Sequence, residues 1–250
     1  MSSSIRIVLV ETSHPGNIGA VARALKNMAL EELILVRPRD FPHAEASARA
    51  SGAEDLLQRA RVVQELSTAL EGCGLVLAST SRGRGDQNFR VMSARAAARR
   101  AIQEANRTPV AILFGSERTG LTNDELRYAH ALLAIPANPA YPSLNIAMAV
   151  QIVAYEIMCA RLESNQQAPR SITSPTIPLA SAQELDRMYS HLSEVLQEID
   201  FRDRTQSGTN LMKRIRRLIQ RAEPDMNEVH ILRGFLTAVQ QRRRRAISHE

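Results

Sequence analysis

The chain has 250 residues, of which 44% are hydrophobic, and this is enough to bury one large core or one medium and one small core. No apolar run reaches the length that spans a bilayer, and the opening MSSSIRIVLVET is too short and too soon charged for a signal peptide, so we expect a cytoplasmic protein. The formal net charge of +6 favours a polyanionic partner, while 4% aromatic residues and the lack of Trp argue against extensive base-stacking platforms.

The two cysteines, Cys73 and Cys159, lie far apart in the sequence, each in an apolar neighbourhood. This placement favours buried thiols over a disulfide. No Cys and His residues recur at the spacing of a metal site, so we expect no metal requirement.

The first element is a continuous apolar strand, Ile5 to Val10, of the kind that is covered on both faces in a parallel sheet. Residues 11–28, ETSHPGNIGAVARALKNM, predict a loop and then a helix that begins near Asn17. Asn17 suits either a helix N-cap or a functional amide, and Arg23, which falls outside the apolar stripe, is either a solvated side chain or a functional cation. Neither G-x-G-x-x-G nor G-K-[ST] is present, which argues against dinucleotide and P-loop sites.

Strands and helices then alternate to about residue 163. Strands are predicted at 33–36, 75–78, 110–114 and 131–135. Helices are predicted at 43–60 with a break at Gly52, at 66–70, from Ser93 to about Ala105, and from a Thr122 and Glu125 capping box to about Ala129. This alternation predicts an α/β domain with a mostly parallel sheet.

Two loops that follow strands have compositions suited to a ligand. The first contains Ser79, Thr80 and Ser81 and continues as RGRGDQNFR, whose arginines face either solvent or a phosphate. The second, LFGSERTGLT at 113–122, has glycines on either side of Ser-Glu-Arg, as is needed where the backbone approaches a ligand closely.

The segment 134–156, AIPANPAYPSLNIAMAVQIVAYE, joins a loop with three prolines in seven positions to an apolar helix. Proline fixes φ, so the loop is expected to be ordered and non-helical. The helix that follows Ser143 and Asn145 has small residues between its apolar positions and is expected to be buried on more than one side. Taken alone, this pattern also fits a well-capped core helix.

The composition changes after Glu163. Residues 164–180 are polar and rich in proline, which is typical of a linker, and residues 181–250 show only helical periodicity after a Ser181 and Glu184 capping box. One basic cluster includes Lys213, Arg214 and Arg217, and a second lies at 242–245. Basic helix faces are often only solvated surface, but two clusters in one module favour RNA.

Three blocks, ETSHPGNIGAVARALKNM (11–28), LFGSERTGLTNDE (113–125) and IPANPAYPSLNIAMAVQIVAYE (135–156), resemble the three motifs of the SPOUT-class RNA 2′-O-ribose methyltransferases of the TrmH/TrmJ family. The ETSH sequence and the helical C-terminal extension narrow the resemblance to the bacterial TrmJ type, which methylates cytidine or uridine 32 in the tRNA anticodon loop. The resemblance covers essentially the whole chain. It implies S-adenosylmethionine as the cofactor, tRNA as the partner, a deep trefoil knot and a homodimer.

Carried over residue by residue, the resemblance implies a set of site residues. The catalytic residues would be Arg23, Asn17 and Ser143, and Glu117 and Asn145 would support the loops and the dimer seam. The cofactor would be held by Ser79, Thr80, Ser81, Gly115, Ile135, Pro142, Ser143 and Leu144. RNA contacts are expected from Arg82, Arg84, Lys213, Arg214 and Arg217. The expected organisation is a methyltransferase domain at 1–163, a linker at 164–180 and a helical RNA-binding extension at 181–250.

Two alternatives stay open. The chain could be a 2′-O-methyltransferase for another tRNA site or for ribosomal RNA, and total tRNA against ribosomal RNA as methyl acceptor would distinguish these. It could also be a non-catalytic RNA-binding protein with the knotted fold, although retention of Asn17, Arg23 and Ser143 argues against this.

Overall fold

The computed structural model describes residues 5–80, 89–166, 178–201 and 211–247. The chain separates into two compact units, Met1–Ser174 and Pro175–Glu250. Within the described residues, α7 continues to Gln166 and Ala180 is buried in the second unit, so both ends of the predicted linker at 164–180 are structured. Residues 167–177 lie outside the described part of the chain.

A parallel sheet forms the centre of the first unit. The strands described are β1 (Ile5–Val10), β2 (Glu32–Val36), β3 (Arg61–Val63), β4 (Leu75–Thr80), β5 (Val91–Ser93), β6 (Val110–Phe114) and β7 (Ala131–Ala134). Their order is β3-β2-β1-β6-β4-β7-β5, and every pairing is parallel. The predicted α/β class with a parallel sheet is therefore confirmed. The two strands that were not predicted, β3 and β5, have three residues each and mostly exposed side chains.

Helices cover the sheet. They are α1 (Pro15–Asn27), α2 (Ala44–Ala50), α3 (Glu54–Arg59), α4 (Leu66–Ala69), α5 (Ala94–Ala105), α6 (Asn123–Leu126) and α7 (Ile146–Gln166). The predicted cap at Ser93 and the capping box of Thr122 and Glu125 are both present. The helix predicted to begin near Asn17 is present and begins slightly earlier, at Pro15. Its N-cap is His14 rather than Asn17, and the His14 Nδ1 accepts the Gly16 N–H at 3.2 Å. Proline suits this first position because its missing N–H needs no partner there.

Helix α7 contacts two other helices of the first unit and contributes to its core. It packs against α1 and α5, and its buried residues Val150, Val153, Ala154 and Ile157 join the core under the sheet. Another face of α7 stays exposed, with Met148, Tyr155 and Leu162 at 63%, 53% and 53%. The predicted apolar helix is confirmed, and α1 and α5 cover it on more than one side, as expected, whereas the face with Met148, Tyr155 and Leu162 is exposed to solvent.

The strand order brings distant loops to one edge of the sheet. β6 lies between β1 and β4, and β7 lies between β4 and β5, so strands that come later in the chain sit between earlier ones. Because the sheet is parallel, the loops after β1, β4, β6 and β7 leave from the same edge. Ligand crevices in open α/β sheets form at this carboxyl edge.

The second unit consists of helices in its described residues: α8 (Ala182–Glu198), α9 (Leu211–Ala222) and α10 (Met226–Ile247). Its small core contains Leu185, Met188, Tyr189 and Val229. The predicted capping box at the start of α8 is present. Arg216 lies over the Tyr189 ring at 4.4 Å from its centroid and pairs with Asp186 at 3.2 Å.

Both cysteines are free thiols, as predicted. Cys73 is buried, which raises its pKa to about 11, whereas Cys159 is only half-buried. No described group of His, Cys, Asp and Glu side chains is arranged to hold a metal ion. None of the helices in the described ranges is long and apolar enough to cross a membrane.

His130 lies immediately before β7 and is expected to make the folded state sensitive to acid. Burial first, and the charge of Arg100 second, lower the pKa of His130 from 6.5 to about 4. Its Nδ1 accepts the Val76 N–H at 3.0 Å, which requires that nitrogen to be unprotonated. The unfolded chain binds a proton at higher pH than the folded chain does, so this residue destabilises the fold as pH falls from 6.5 towards 4.

We expect His130 to lower the free energy of unfolding by about 3 kcal/mol across that range. Denaturant unfolding at pH 4.5, 5.5 and 7 measures it. His130→Gln, which keeps an acceptor but does not titrate, is the control and should flatten the dependence. An equal slope in both proteins would exclude His130 as the cause.

Candidate active site

Three loops enclose a cavity of about 620 Å³ at the carboxyl edge of β4, β6 and β7. This volume lies within the usual range of small-molecule sites. Among the residues proposed for the cofactor, those that line the cavity are Ser79, Thr80, Gly115, Ile135, Pro142, Ser143 and Leu144. Ser81, Arg82 and Arg84 lie outside the described residues. The wall therefore combines hydroxyl groups and loop backbone with apolar side chains such as Phe114, Leu121 and Leu133.

The loop after β6 is folded back tightly on itself. The Gly120 N–H donates to the Ser116 carbonyl at 2.9 Å, and Gly120 has φ +67°, which favours glycine. A Cβ at Gly115 would overlap the backbone of Gly120 and Leu121. Only glycine at 115 leaves this loop in its place along the cavity wall.

Glu117, in that same loop, links the three sequence blocks. Its Oε2 accepts the N–H and the hydroxyl of Ser13 at 3.0 and 2.9 Å, and its Oε1 accepts the Asn17 Nδ2 at 2.8 Å. Asn17 Oδ1 in turn accepts the Asn145 Nδ2 at 3.0 Å, and Asn145 Oδ1 accepts the Ala147 N–H at 2.9 Å. A continuous chain of hydrogen bonds thus runs from the end of β1 to the start of α7.

The charge on Glu117 is favoured by these contacts. Burial alone would raise its pKa, but the hydrogen bonds from the Ser13 backbone, the Asn17 side chain and the Ser13 hydroxyl together hold the pKa of Glu117 below its ordinary value. A carboxylate that accepts several hydrogen bonds is stabilised in its ionised form. Glu117 is consequently an acceptor in this chain and not a proton donor.

Arg23 stands apart from this group. It is exposed on α1, it does not line the cavity, and no described residue forms a hydrogen bond or ion pair with it. Asn17 and Asn145 line a second, more open cavity of about 620 Å³ between α1, α2 and α7. The structure thus brings Asn17, Glu117 and Asn145 into contact and leaves Arg23 with a free guanidinium.

Ser13 contacts Glu117 directly, and the sequence interpretation did not name it. It lies within the ETSH block, but a serine before His-Pro has the composition of any loop, and its contact with Glu117 spans 104 residues. This contact could have been predicted only from the knowledge that the loops after β1 and β6 lie at the same edge of the sheet.

Of the basic residues expected to contact RNA, those that the structure describes lie on α9 and α10 of the second unit. Lys213 and Arg214 are exposed, while Arg217 is half-buried. Arg242 is exposed near the end of α10. Arg216, on the same helix α9, is engaged by Asp186 and Tyr189.

Two family models match the chain. The SpoU rRNA Methylase family matches residues 4–155, and the C-terminal domain of tRNA methyltransferase TrmJ matches residues 183–248. The first match alone covers more than half of the chain, and the two together span the α/β unit and the helical unit.

Relatives match over nearly the full length. A tRNA (cytidine/uridine-2'-O-)-methyltransferase TrmJ from Pectobacterium atrosepticum is 46% identical over 240 residues, which cover 96% of this chain and 98% of that protein. The protein of the same name from Sodalis glossinidius is 47% identical, with 96% and 92% covered. The crystal structure of TrmJ from Z. mobilis ZM4 superposes with a TM-score of 0.79 at 33% identity, covering 94% of this chain and 98% of that one. The chain therefore belongs to the SpoU methylase family and, within it, to the TrmJ type.

Proposed function

We propose that this chain transfers the methyl group of S-adenosylmethionine to the ribose 2′-hydroxyl of cytidine or uridine 32 in the tRNA anticodon loop. The observation that carries the proposal is the chain of hydrogen bonds through Glu117, which joins all three family blocks. Glu117 lines the cavity formed by the loops after β4, β6 and β7, and Asn17 and Asn145 line the second cavity. The names of the relatives support a tRNA ribose as the acceptor. Nucleotide 32 of the anticodon loop as the target and S-adenosylmethionine as the cofactor are parts of our proposal that go beyond those names.

The cavity suits S-adenosylmethionine in size and chemistry. Apolar side chains such as Leu121, Leu133 and Ile135 provide walls for an adenine ring. The hydroxyls of Ser79, Thr80 and Ser143 and the backbone of the 115–121 loop offer hydrogen bonds to a ribose and an amino-acid group. We include the deep trefoil knot in this proposal because the family resemblance implies it, and the insertion of β6 and β7 between strands that precede them in the chain is compatible with it.

When bound, S-adenosylmethionine supplies an electrophilic methyl group on a sulfonium. The chain must hold the ribose oxygen in line with that carbon, since positioning alone lowers such barriers by several kcal/mol. We assign Asn17 and Ser143 to placing the ribose. A guanidinium stays protonated at neutral pH and is a poor base, so we assign Arg23 to binding the target phosphate and stabilising the developing alkoxide. The hydroxyl proton then passes to the phosphate or to water.

We also propose a homodimer in which α7 meets its copy. Residues with largely apolar side chains recur along α7 at alternating spacings of four and three residues, which is the pattern of the contact face in paired helices. They are Met148, Ile152, Tyr155, Cys159 and Leu162. Such a pairing would cover the exposed face of α7 and bring the unpaired Arg23 of one protomer towards the cavity of the other. Sedimentation of the intact chain tests it, and a monomer at micromolar concentration would contradict it.

The function is tested by incubating the purified protein with S-adenosylmethionine and either total tRNA or ribosomal RNA, followed by mapping of 2′-O-methyl groups. We expect methylation at nucleotide 32 of tRNA, and loss of that mark in a strain without the protein. Methylation at another tRNA position or in ribosomal RNA would contradict this substrate and support one of the alternative substrates. Binding of tRNA without any transfer would indicate a non-catalytic RNA-binding protein.

We propose residues 1–163 as the methyltransferase domain, 164–180 as the linker and 181–250 as the module that provides much of the binding affinity for tRNA. The family matches at 4–155 and 183–248 support this division. Lys213, Arg214, Arg217 and the 242–245 run are assigned to phosphate contacts. Unchanged tRNA affinity after deletion of residues 170–250 would contradict the assignment.

We expect the double variant Lys213→Ala with Arg214→Ala to bind tRNA more weakly and with a flatter salt dependence. Each lost phosphate contact removes about 0.7 from the log–log slope, so the double variant should lose about 1.4. Binding is measured between 50 and 300 mM KCl. Arg59→Ala, an exposed cation paired with Asp55 on the first unit, is the control and should keep the wild-type slope. Equal slopes in all three proteins would remove α9 from the RNA interface.

A further inference from the structure

Ser13 is exposed in the loop between β1 and α1 and makes two hydrogen bonds to one carboxylate. Its backbone N–H and its hydroxyl both donate to the same oxygen of Glu117, Oε2, at 3.0 and 2.9 Å. Two donors on one carboxylate oxygen fix the rotation of the carboxylate and leave the other oxygen, Oε1, aimed at Asn17. Hydrogen bonds to ionised groups are the stronger kind.

The direction of every later hydrogen bond follows from this carboxylate. Because ionised Glu117 only accepts, Asn17 must present its amide nitrogen to Oε1, which turns its Oδ1 towards Asn145. Asn145 must then present its own nitrogen, which leaves its oxygen to accept the Ala147 N–H at the start of α7. Rotating either amide by half a turn would place two acceptors or two donors against each other.

We infer that Ser13 is a positioning residue of the methyl-transfer site, acting through Glu117 to fix the orientation of the Asn17 and Asn145 amides. This inference rests on the proposed function, since it concerns the reaction assigned to that site. Ser13 needs no contact with either substrate for this role. The lowered pKa of Glu117, to which both Ser13 groups contribute, supports a permanently accepting carboxylate.

Ser13→Ala removes the hydroxyl donor and keeps the backbone donor. With tRNA and S-adenosylmethionine both saturating, we expect kcat to fall about tenfold, equivalent to about 1.4 kcal/mol. The Kd for S-adenosylmethionine should stay within about twofold, because Ser13 does not line the cavity. Ser13→Thr retains a hydroxyl and should restore most of the lost kcat. Ser47→Ala, which changes an exposed serine on α2, is the matched control and should behave as wild type.

The link through Glu117 is tested by a double-mutant cycle on kcat. In a Glu117→Ala background, Ser13→Ala should cause no further loss, because the carboxylate that accepts the Ser13 hydroxyl is gone. Wild-type kcat in Ser13→Ala, or losses that add fully in the double variant, would overturn the inference. A loss of kcat that Ser13→Thr does not restore, and that accompanies a lower Tm of the variant, would also overturn the inference.

Failure of the proposed function would look different. In that case the wild-type protein itself would transfer no methyl group to any RNA. The same double-mutant cycle measured on the free energy of unfolding then decides whether Ser13 and Glu117 are coupled, and full additivity there would overturn the inference without reference to activity.

Discussion

Replacing Arg23 with alanine is expected to lower the rate of methyl transfer about 100- to 1,000-fold, the cost of removing one preorganised donor to developing charge. Binding of S-adenosylmethionine should remain within about twofold, because Arg23 does not line the cavity and no described residue depends on it. Single-turnover methylation and calorimetric binding of the cofactor measure the two effects separately. Normal turnover in this variant would end the assignment of Arg23.

Lys26→Ala is the matched control for Arg23 because it removes an exposed cation one turn further along α1. Lys26 donates to Asp55 at 2.7 Å and to the Gly52 carbonyl at 2.8 Å, so we expect its role to be structural. Its loss should cost less than about 1 kcal/mol of stability and leave turnover unchanged. Arg23→Lys keeps the charge but not the planar fork, and we expect an intermediate rate.

The position of Arg23 also allows a test of which protomer uses it. If Arg23 acts on the cavity of its partner, a heterodimer of Arg23→Ala with a protomer whose cavity is defective contains one complete site. Random mixing of the two inactive proteins should then restore about a quarter of the wild-type activity. No recovery in verified heterodimers would place Arg23 and the cavity in the same protomer.

The sequence predicted the central strands and the helix caps because their signals are local. β6 is an unbroken apolar run, β1 is apolar except for Arg6, and the capping box of Thr122 and Glu125 is complete within four residues. β3 and β5 were missed because three-residue edge strands with exposed side chains have no apolar pattern to detect. The N-cap of α1 was misplaced because His14 is a rarer cap than the asparagine that follows it.

The site itself depends on contacts that no local rule specifies. Glu117 meets Ser13 and Asn17 across separations of 104 and 100 residues, and these contacts form only because β6 is inserted beside β1. Family resemblance supplied Asn17, Glu117 and Asn145 as separate motif residues, whereas their arrangement as one directed hydrogen-bond chain needed the structure. Neither the local sequence pattern nor the family resemblance indicated Ser13, since its proposed role follows from its two hydrogen bonds to Glu117.

Gly115→Ala is expected to weaken binding of S-adenosylmethionine by about 100-fold or more and to abolish transfer as a consequence. A Cβ at this position would overlap backbone atoms of Gly120 and Leu121, which cannot rotate away as a flexible side chain could. The 116–121 loop would have to move, and it forms one wall of the cavity and carries Glu117. Overpacking of this kind also costs about 1 to 3 kcal/mol of stability, so cofactor binding is measured by calorimetry well below the variant's own Tm.

The control for Gly115 is Gly234→Ala in the middle of α10, where a new Cβ would have no neighbour within 4 Å. Alanine is the better helix former, so this variant should be as stable as wild type or more stable, by up to about 1 kcal/mol, with unchanged cofactor affinity. The contrast separates the close backbone approach at Gly115 from any general effect of adding a methyl group. Wild-type affinity in a folded Gly115→Ala protein would show that the loop can be displaced without loss, and the cofactor would then have to be held by the loops after β4 and β7 alone.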